Sequence, residues 1–293
     1  MPLELVFSKL KTMPHPSSIL TRYWPIALIA ILHAPLVRAG EFQTDSLQVK
    51  LPKAWADRAK IKVVPANPLY TSAEAAALKA DPRMMKKGSY ENMPEHVQIH
   101  LSAIFPDSWH PEITLQSVDE CSRILDPEGH PYQGTKQAVD ELWTIATKPA
   151  AYHKGEELPF FGNLDASQSI AVGLKSIPFA GGLGIRYLTQ YDVEPSLLFD
   201  GSLMYIYEGL TKDRKYLVSA TFPLHLEGLA TEKTKAHLGF SMEQGHYGEL
   251  EKNIRVYREK ATAWLNERLD QITPSLKQLD EIMASLEVTE PQR

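Results

Sequence analysis

Two largely apolar runs, Leu203–Gly209 and Lys215–Leu224, are separated by the short polar segment Thr211-Lys212-Asp213-Arg214. A connection this short folds the chain back on itself, because a parallel pair needs a crossover of a dozen residues or more. The spacing predicts an antiparallel hairpin. A third run, Ile185-Arg186-Tyr187-Leu188-Thr189-Gln190-Tyr191, precedes it and predicts another strand. Further upstream, Val97, Ile99, Leu101 and Ala103 alternate with His96, Gln98, His100 and Ser102. That period marks a half-buried strand whose histidines face solvent. Pro106-Asp107-Ser108 makes a turn, and Ile113 and Leu115 carry a further strand.

Helical spacing occurs elsewhere. Thr71-Ser72 caps a short helix through Leu78 that ends at Asp81-Pro82. In Thr135–Thr147, Ala138, Leu142, Ile145 and Ala146 share one face, flanked by Trp143. Leu250, Ile254, Tyr257, Ala261, Trp264, Leu265 and Leu269 recur at intervals of three and four, predicting one long amphipathic helix. Thr273-Pro274 reads as the cap and first turn of a last helix, with Leu276, Leu279, Ile282, Met283 and Leu286 inward. Strands joined by short turns, with helices gathered towards the ends and no βαβ alternation, predict an α+β fold: a mainly antiparallel sheet packed with helices.

Residues 1–39 read as an export signal. A basic stretch ends at Arg22, an apolar run spans Trp24 to Leu32, and Val37-Arg38-Ala39 fits a cleavage site between Ala39 and Gly40. The uncharged stretch from 23 to 37 is 15 residues, shorter than the roughly 20 needed to span a bilayer. Met13 is an alternative start. The chain's formal charge is −5, but Lys9, Lys11, Arg22 and Arg38 against Glu4 give residues 1–39 a net +3, so the remainder carries −8. A chain with that balance and no basic stripe is not built to bind nucleic acid. Cleavage leaves no membrane span and places the protein in the periplasm or outside the cell. Residues 40–92 read as an N-terminal segment packing on a single domain of residues 93–290. Cys121 is the only cysteine, so an internal disulfide is excluded, and no thiol follows the apolar run to take a lipid. Its acidic neighbours in Asp119-Glu120-Cys121-Ser122 point to an inert thiol.

Patterns that carry chemistry are sparse. His96 and His100 on one strand face lie about 13 Å apart, too far to share an ion, so no metal site is expected. His225, His237 and His246 have no ligand spacing. Gly181-Gly182-Leu183-Gly184 precedes a strand, the wrong order for a phosphate cradle and right for a turn or bulge. There is no Gly-x-Ser-x-Gly elbow, and Ser108 and His110 sit in turn chemistry. No cofactor is implied. The richest polar-aromatic group is Arg186, Tyr187, Gln190 and Tyr191. On a strand, Arg186 and Gln190 share one face and Tyr187 and Tyr191 the other. A pocket wall for a polar or acidic ligand gives this pattern, and so does a sheet face pairing with Tyr205 and Tyr207.

Several segments together resemble a family of uncharacterised exported bacterial proteins. They are Met93-Pro94-Glu95-His96-Val97-Gln98-Ile99, Trp109-His110-Pro111-Glu112-Ile113, Leu158-Pro159-Phe160-Phe161 with Asn163 and Asp165-Ala166-Ser167-Gln168, Gly184–Tyr191, Tyr207-Glu208-Gly209-Leu210-Thr211, and Tyr216–Pro223. The resemblance spans roughly residues 90–288. It implies a Gly after the hairpin's Asp213, where this chain has Arg214, and it carries no catalytic assignment. Many relatives are lipid-anchored, and this chain lacks that cysteine. The stretch from Thr273 to Val288 is also similar to the close of domains of the photosystem-accessory and nuclear-import type (PsbP/Mog1-like), which implies an α/β/α sandwich. Together these readings favour a soluble exported protein that binds a small molecule or a partner protein at the cell envelope. A hydrolytic or metal-assisted enzyme using dispersed residues around Arg186 and His110, or a structural accessory of an envelope complex, are the alternatives.

Overall fold

In a computed structural model, the described residues are 41–43, 46–67, 77, 80–81, 93–106, 108, 111–123, 134–153, 156–161, 164, 166–243 and 246–289. The signal-like segment with Ala39 and Gly40, most of the helix at 71–78, and Trp109-His110 lie outside them. Residues 38–293 belong to one compact unit.

Along the chain the strands are β1 (Glu41–Gln43), β2 (Leu47–Lys50), β3 (Lys60–Val64), β4 (His96–His100), β5 (Glu112–Ser117), β6 (Ser167–Gln168), β7 (Val172–Phe179), β8 (Gly182–Thr189), β9 (Tyr191–Asp192), β10 (Met204–Thr211), β11 (Tyr216–Pro223), β12 (Ala236–His237), β13 (Phe240–Ser241) and β14 (Glu287–Val288). The α-helices are α1 (Lys53–Ala56), α2 (Val118–Ser122), α3 (Gly134–Thr147), α4 (Tyr247–Lys252), α5 (Ile254–Asn266) and α6 (Leu276–Ala284).

The hairpin is β10–β11, with Leu210 opposite Leu217 and Met204 opposite Pro223. It lies inside a seven-stranded antiparallel sheet of order β3-β4-β5-β11-β10-β8-β7. The fold is α+β. One sheet face puts Ile99, Ile113, Tyr205, Tyr207 and Val218 into a core shared with α5 and α6. The other puts Ile185, Tyr187, Ile206, Leu210 and Leu217 against Leu142 and Ile145 of α3. Strand period 2 thus feeds two cores, with helices on both sides of the sheet. The segment before residue 93 is woven in: β3 is an edge strand of the main sheet, and β2 pairs with β14 near the end of the chain.

Four local readings change. The apolar stripe of α3 runs through Val139, Leu142, Ile145 and Ala146, with Ala138 only half-buried. The long C-terminal helix is broken into α4 and α5 at Asn253, whose side-chain Nδ2 donates to the Glu249 carbonyl at 2.9 Å and competes with helical pairing. Ser275, not Thr273, caps α6, its hydroxyl accepting from Gln278 N–H at 3.3 Å. Thr273 instead exchanges backbone bonds with His225, at 2.8 and 3.0 Å. Finally, the polar side of β4 is buried at His96 and Gln98, and only His100 at its end is half-exposed. Arg214 does take the left-handed conformation of the turn, at φ 59°. Its guanidinium reaches Asp140 at 2.8 Å and covers the Trp143 ring at 5.2 Å.

Candidate functional site

The sequence group Arg186-Tyr187-Gln190-Tyr191 is divided by the strand. Arg186 opposes Tyr207 in register and points to the α5/α6 side. It is 8% exposed. Its Nε donates to Asp280 Oδ1 of α6 at 3.2 Å, and its Nη1 donates to the Gly173 carbonyl. Gly173 sits where the β7–β8 register slips between Val172 and Lys175. Its φ of +64° suits glycine, and an added Cβ would lie 2.7 Å from Arg186 Nη1. Asp280 also accepts from Tyr205 Oη at 3.1 Å and from Lys175 Nζ of β7 at 2.7 Å. One carboxylate therefore serves two cations. Burial, helped by Asp280, pushes the Tyr205 phenol well above its ordinary value, so it stays a donor.

Of these residues Lys175, Arg186 and Asp280 line a groove of about 500 Å³ between β7 and α6. Its apolar lining is the exposed Pro178 and Ala284, with Ile177 and Leu276 buried beneath. Lys175, Arg186 and Lys277 against Asp280 and Glu281 leave it with one net positive charge. Its size falls within the range of small-molecule sites.

Tyr187 lies on the opposite face, beneath α3. Its hydroxyl donates to the Pro159 carbonyl at 3.0 Å and lies 3.4 Å from the Tyr191 hydroxyl. Tyr191 stacks on Phe160, with ring centroids 4.9 Å apart. On the same face stands Glu208, a fully buried carboxyl in the sheet centre. Ser219 Oγ lies 2.5 Å from its Oε2, and Phe161 N–H donates to Oε1 at 3.2 Å. Leu158 N–H donates to Gln168 Oε1 at 3.0 Å. Side chains from β6, β8 and β10 thus hold residues 158–161 across the sheet. Burial pushes Glu208 up to about 8, against the downward pull of its two hydrogen bonds. Burial likewise pushes both tyrosines up.

Gln190 belongs to neither place. Its Nε2 donates to Asp192 at 3.0 and 3.1 Å and to the Leu197 carbonyl at 2.7 Å, and its Oε1 accepts from Phe199 N–H at 3.0 Å. Every hydrogen-bonding group of the amide is used in holding the 190–199 loop.

On β4, His96 Nδ1 is satisfied by the Pro94 carbonyl at 2.9 Å. Gln98 Nε2 donates to Glu112 Oε2, while Gln98 Oε1 is buried without a partner. Cys121 is buried, and burial with Glu120 beside it raises its thiol to about 12. A thiol so protonated is a poor nucleophile. The stretch from Gly181 to Gly184 makes the β7–β8 turn and opens β8. Among the described residues no group of three His, Cys, Asp or Glu side chains could hold a metal ion.

Asp280 and Glu208 escape sequence reading. Asp280 stands 94 positions from Arg186, on the polar side of an ordinary amphipathic helix. Glu208 did leave a signal, a lone acid inside the apolar run from Leu203 to Gly209. Scans against protein-family models, curated proteins and solved structures each found no match.

Proposed function

We propose that this is an exported binding protein of the cell envelope, and that the groove between β7 and α6 seats its ligand. The observation that carries the reading is the groove itself, where a largely charged lining surrounds a buried Arg186 held by Asp280 and Gly173. Held by those two partners, the guanidinium is a fixed positive charge in the groove wall, set before anything binds. Export rests on residues 1–39. Among the described residues no helix is long and apolar enough to cross a membrane. A binding reading fits better than a hydrolytic one, because the buried Glu208–Ser219 pair is closed off by residues 158–161 and lies on the face away from the groove.

The test is mass spectrometry of small molecules retained by protein purified from its own host. The wild-type chain should carry a compound that Ala284→Trp, which fills the exposed end of the groove, releases. Equal retention by both proteins would place the ligand elsewhere, and no retained compound would remove the reading. N-terminal sequencing of the envelope fraction should start at Gly40; an intact Met1 or Met13 would end the export proposal.

A further inference from the structure

Residues 158–161 lie against the α3 side of the sheet as a strap. Among the described residues their backbone pairs with no other backbone. Side chains of the strands hold them instead: Gln168 at Leu158, Tyr187 at Pro159 and Glu208 at Phe161, with Tyr191 stacked on Phe160. The two ends differ. Leu158 is buried in the core beneath α3, which anchors its end. Phe160 and Phe161 are half-buried, and Phe161 N–H rests on Glu208 at 3.2 Å.

That bond is made to a group that can change its charge. Protonated, Glu208 is satisfied where it stands. Its O–H reaches Ser219 Oγ at 2.5 Å, and its other oxygen accepts from Phe161 N–H. Ionised, it has about four lone-pair sites for two donors. No cation offsets the charge among the described residues: burial, Ser219 and Phe161 alone set its ionisation. Tyr187, Tyr191 and Tyr207 around it are phenols kept neutral by burial, and Glu157, which acts on Tyr191, is another acid. The α3 helix turns Leu142 and Ile145 to this face and leaves Lys136, Asp140 and Glu141 exposed. Along the sheet, Ser219 is followed by Thr114, and Glu112 is held by Gln98. A buried charge left this short of partners draws water to itself. The strands β8, β10 and β11 cannot yield without breaking their ladders. The Phe160–Phe161 end can, by giving up the Phe161 hydrogen bond and the Phe160–Tyr191 contact.

We propose that Phe160 and Phe161 form a pH-gated strap: as Glu208 ionises, this end lifts from the sheet and admits water to the carboxylate while Leu158 stays seated. The closed form remains the populated one, and what changes is how often it opens. Burial holds the enclosed carboxyl at about 8, against an ordinary 4.5. The closed form therefore keeps a proton that the open form releases. The opening constant rises about tenfold per pH unit between those two values and levels off above the higher one. The strap lies on the sheet face opposite the groove, so it stands whether or not the groove seats a ligand.

Amide hydrogen exchange, followed by NMR on the full-length chain, tests this. Corrected for the intrinsic rate at each pH, the protection of Phe161 N–H should fall about tenfold per unit from pH 5 to 8. In Glu208→Gln, which keeps an acceptor for Phe161 and cannot ionise, it should not vary with pH. Val218 N–H, in the middle of the β10–β11 ladder, reports unfolding of the whole domain. Its protection should exceed that of Phe161 by about tenfold or more throughout. Phe161 protection that stays flat or rises with pH would mean that Glu208 charges in place and grips harder, which overturns the proposal. Protection equal to that of Val218 would mean that the strap opens only when the domain unfolds, and a pH dependence that survives Glu208→Gln would mean that another group drives it; either overturns the proposal as well. The two wild-type readings decide the matter even if the variant does not fold.

Discussion

Glu208 offers the sharpest check on the structure. It is a carboxyl with no exposure, pushed from 4.5 to about 8 by burial. Between those two values the folded chain holds a proton that the unfolded chain has released. Stability is therefore fully present below pH 4.5 and falls as pH rises through about 8, at about 1.4 kcal/mol per pH unit. The whole window amounts to about 5 kcal/mol, a large share of the usual 5–15 kcal/mol of a domain. Glu208→Gln mimics the protonated carboxyl: its Oε1 can accept from Phe161 N–H, and its Nε2 can donate to Ser219 Oγ. At pH 5 the two proteins should differ by less than about 1 kcal/mol. By pH 8.5 the variant should be the more stable by about 3–5 kcal/mol. Urea unfolding at one-unit steps from pH 5 to 9 measures this, and the difference between the proteins cancels the other titrating groups. A difference that stays flat with pH would refute the reasoning, because it would mean that Glu208 is as easily ionised folded as unfolded. A variant that becomes the less stable as pH rises would mean that the bonds from Ser219 and Phe161 outweigh desolvation.

Three further outcomes follow from single positions. His237 is buried, its Nδ1 taking a hydrogen bond from Tyr257 Oη at 2.8 Å, and burial lowers it from 6.5 to about 4. Its contribution is lost as pH falls through that window, so His237→Gln should remove about 3 kcal/mol of acid sensitivity, read as the difference in unfolding free energy between pH 7 and 4. Arg214→Ala and Arg214→Gly both lose the exposed Asp140 bridge, so the difference between them isolates the φ of 59°. Glycine should be the more stable by about 1 kcal/mol, some 2–4 °C in Tm. Gly184→Ala would put a Cβ 2.5 Å from both the Glu208 carbonyl oxygen and the Tyr207 ring, and should cost about 2–4 kcal/mol in chemical denaturation.

The antiparallel sheet was legible because its evidence is local. A four-residue connection between two apolar runs leaves one pairing, and alternation within each run decides which side chains share a face. What covers a face is not local. Alternation put His96 and Gln98 opposite Val97 and Ile99, but it could not say that this polar side is buried too. The same limit hid the groove. Arg186 reads as a pocket residue or as a sheet residue until Asp280 is seen beside it, and nothing in the amphipathic spacing of α6 marks Asp280 from Glu281.

The contiguous stretch from Gly184 to Tyr191 shows why a well-marked motif need not be one site. The strand sends Arg186 to the groove and Tyr187 to the residues held against Glu208. Gln190 lies just past its end, where the chain bends into the loop that its amide ties down. These are different chemical settings, a charge pair open to solvent on one side and a closed, protonated network on the other. A change at Arg186 acts on the groove through Asp280 and Lys175, whereas a change at Tyr187 acts on the grip on residues 158–161. Ligand affinity and pH-dependent stability should then respond to different members of the same eight residues.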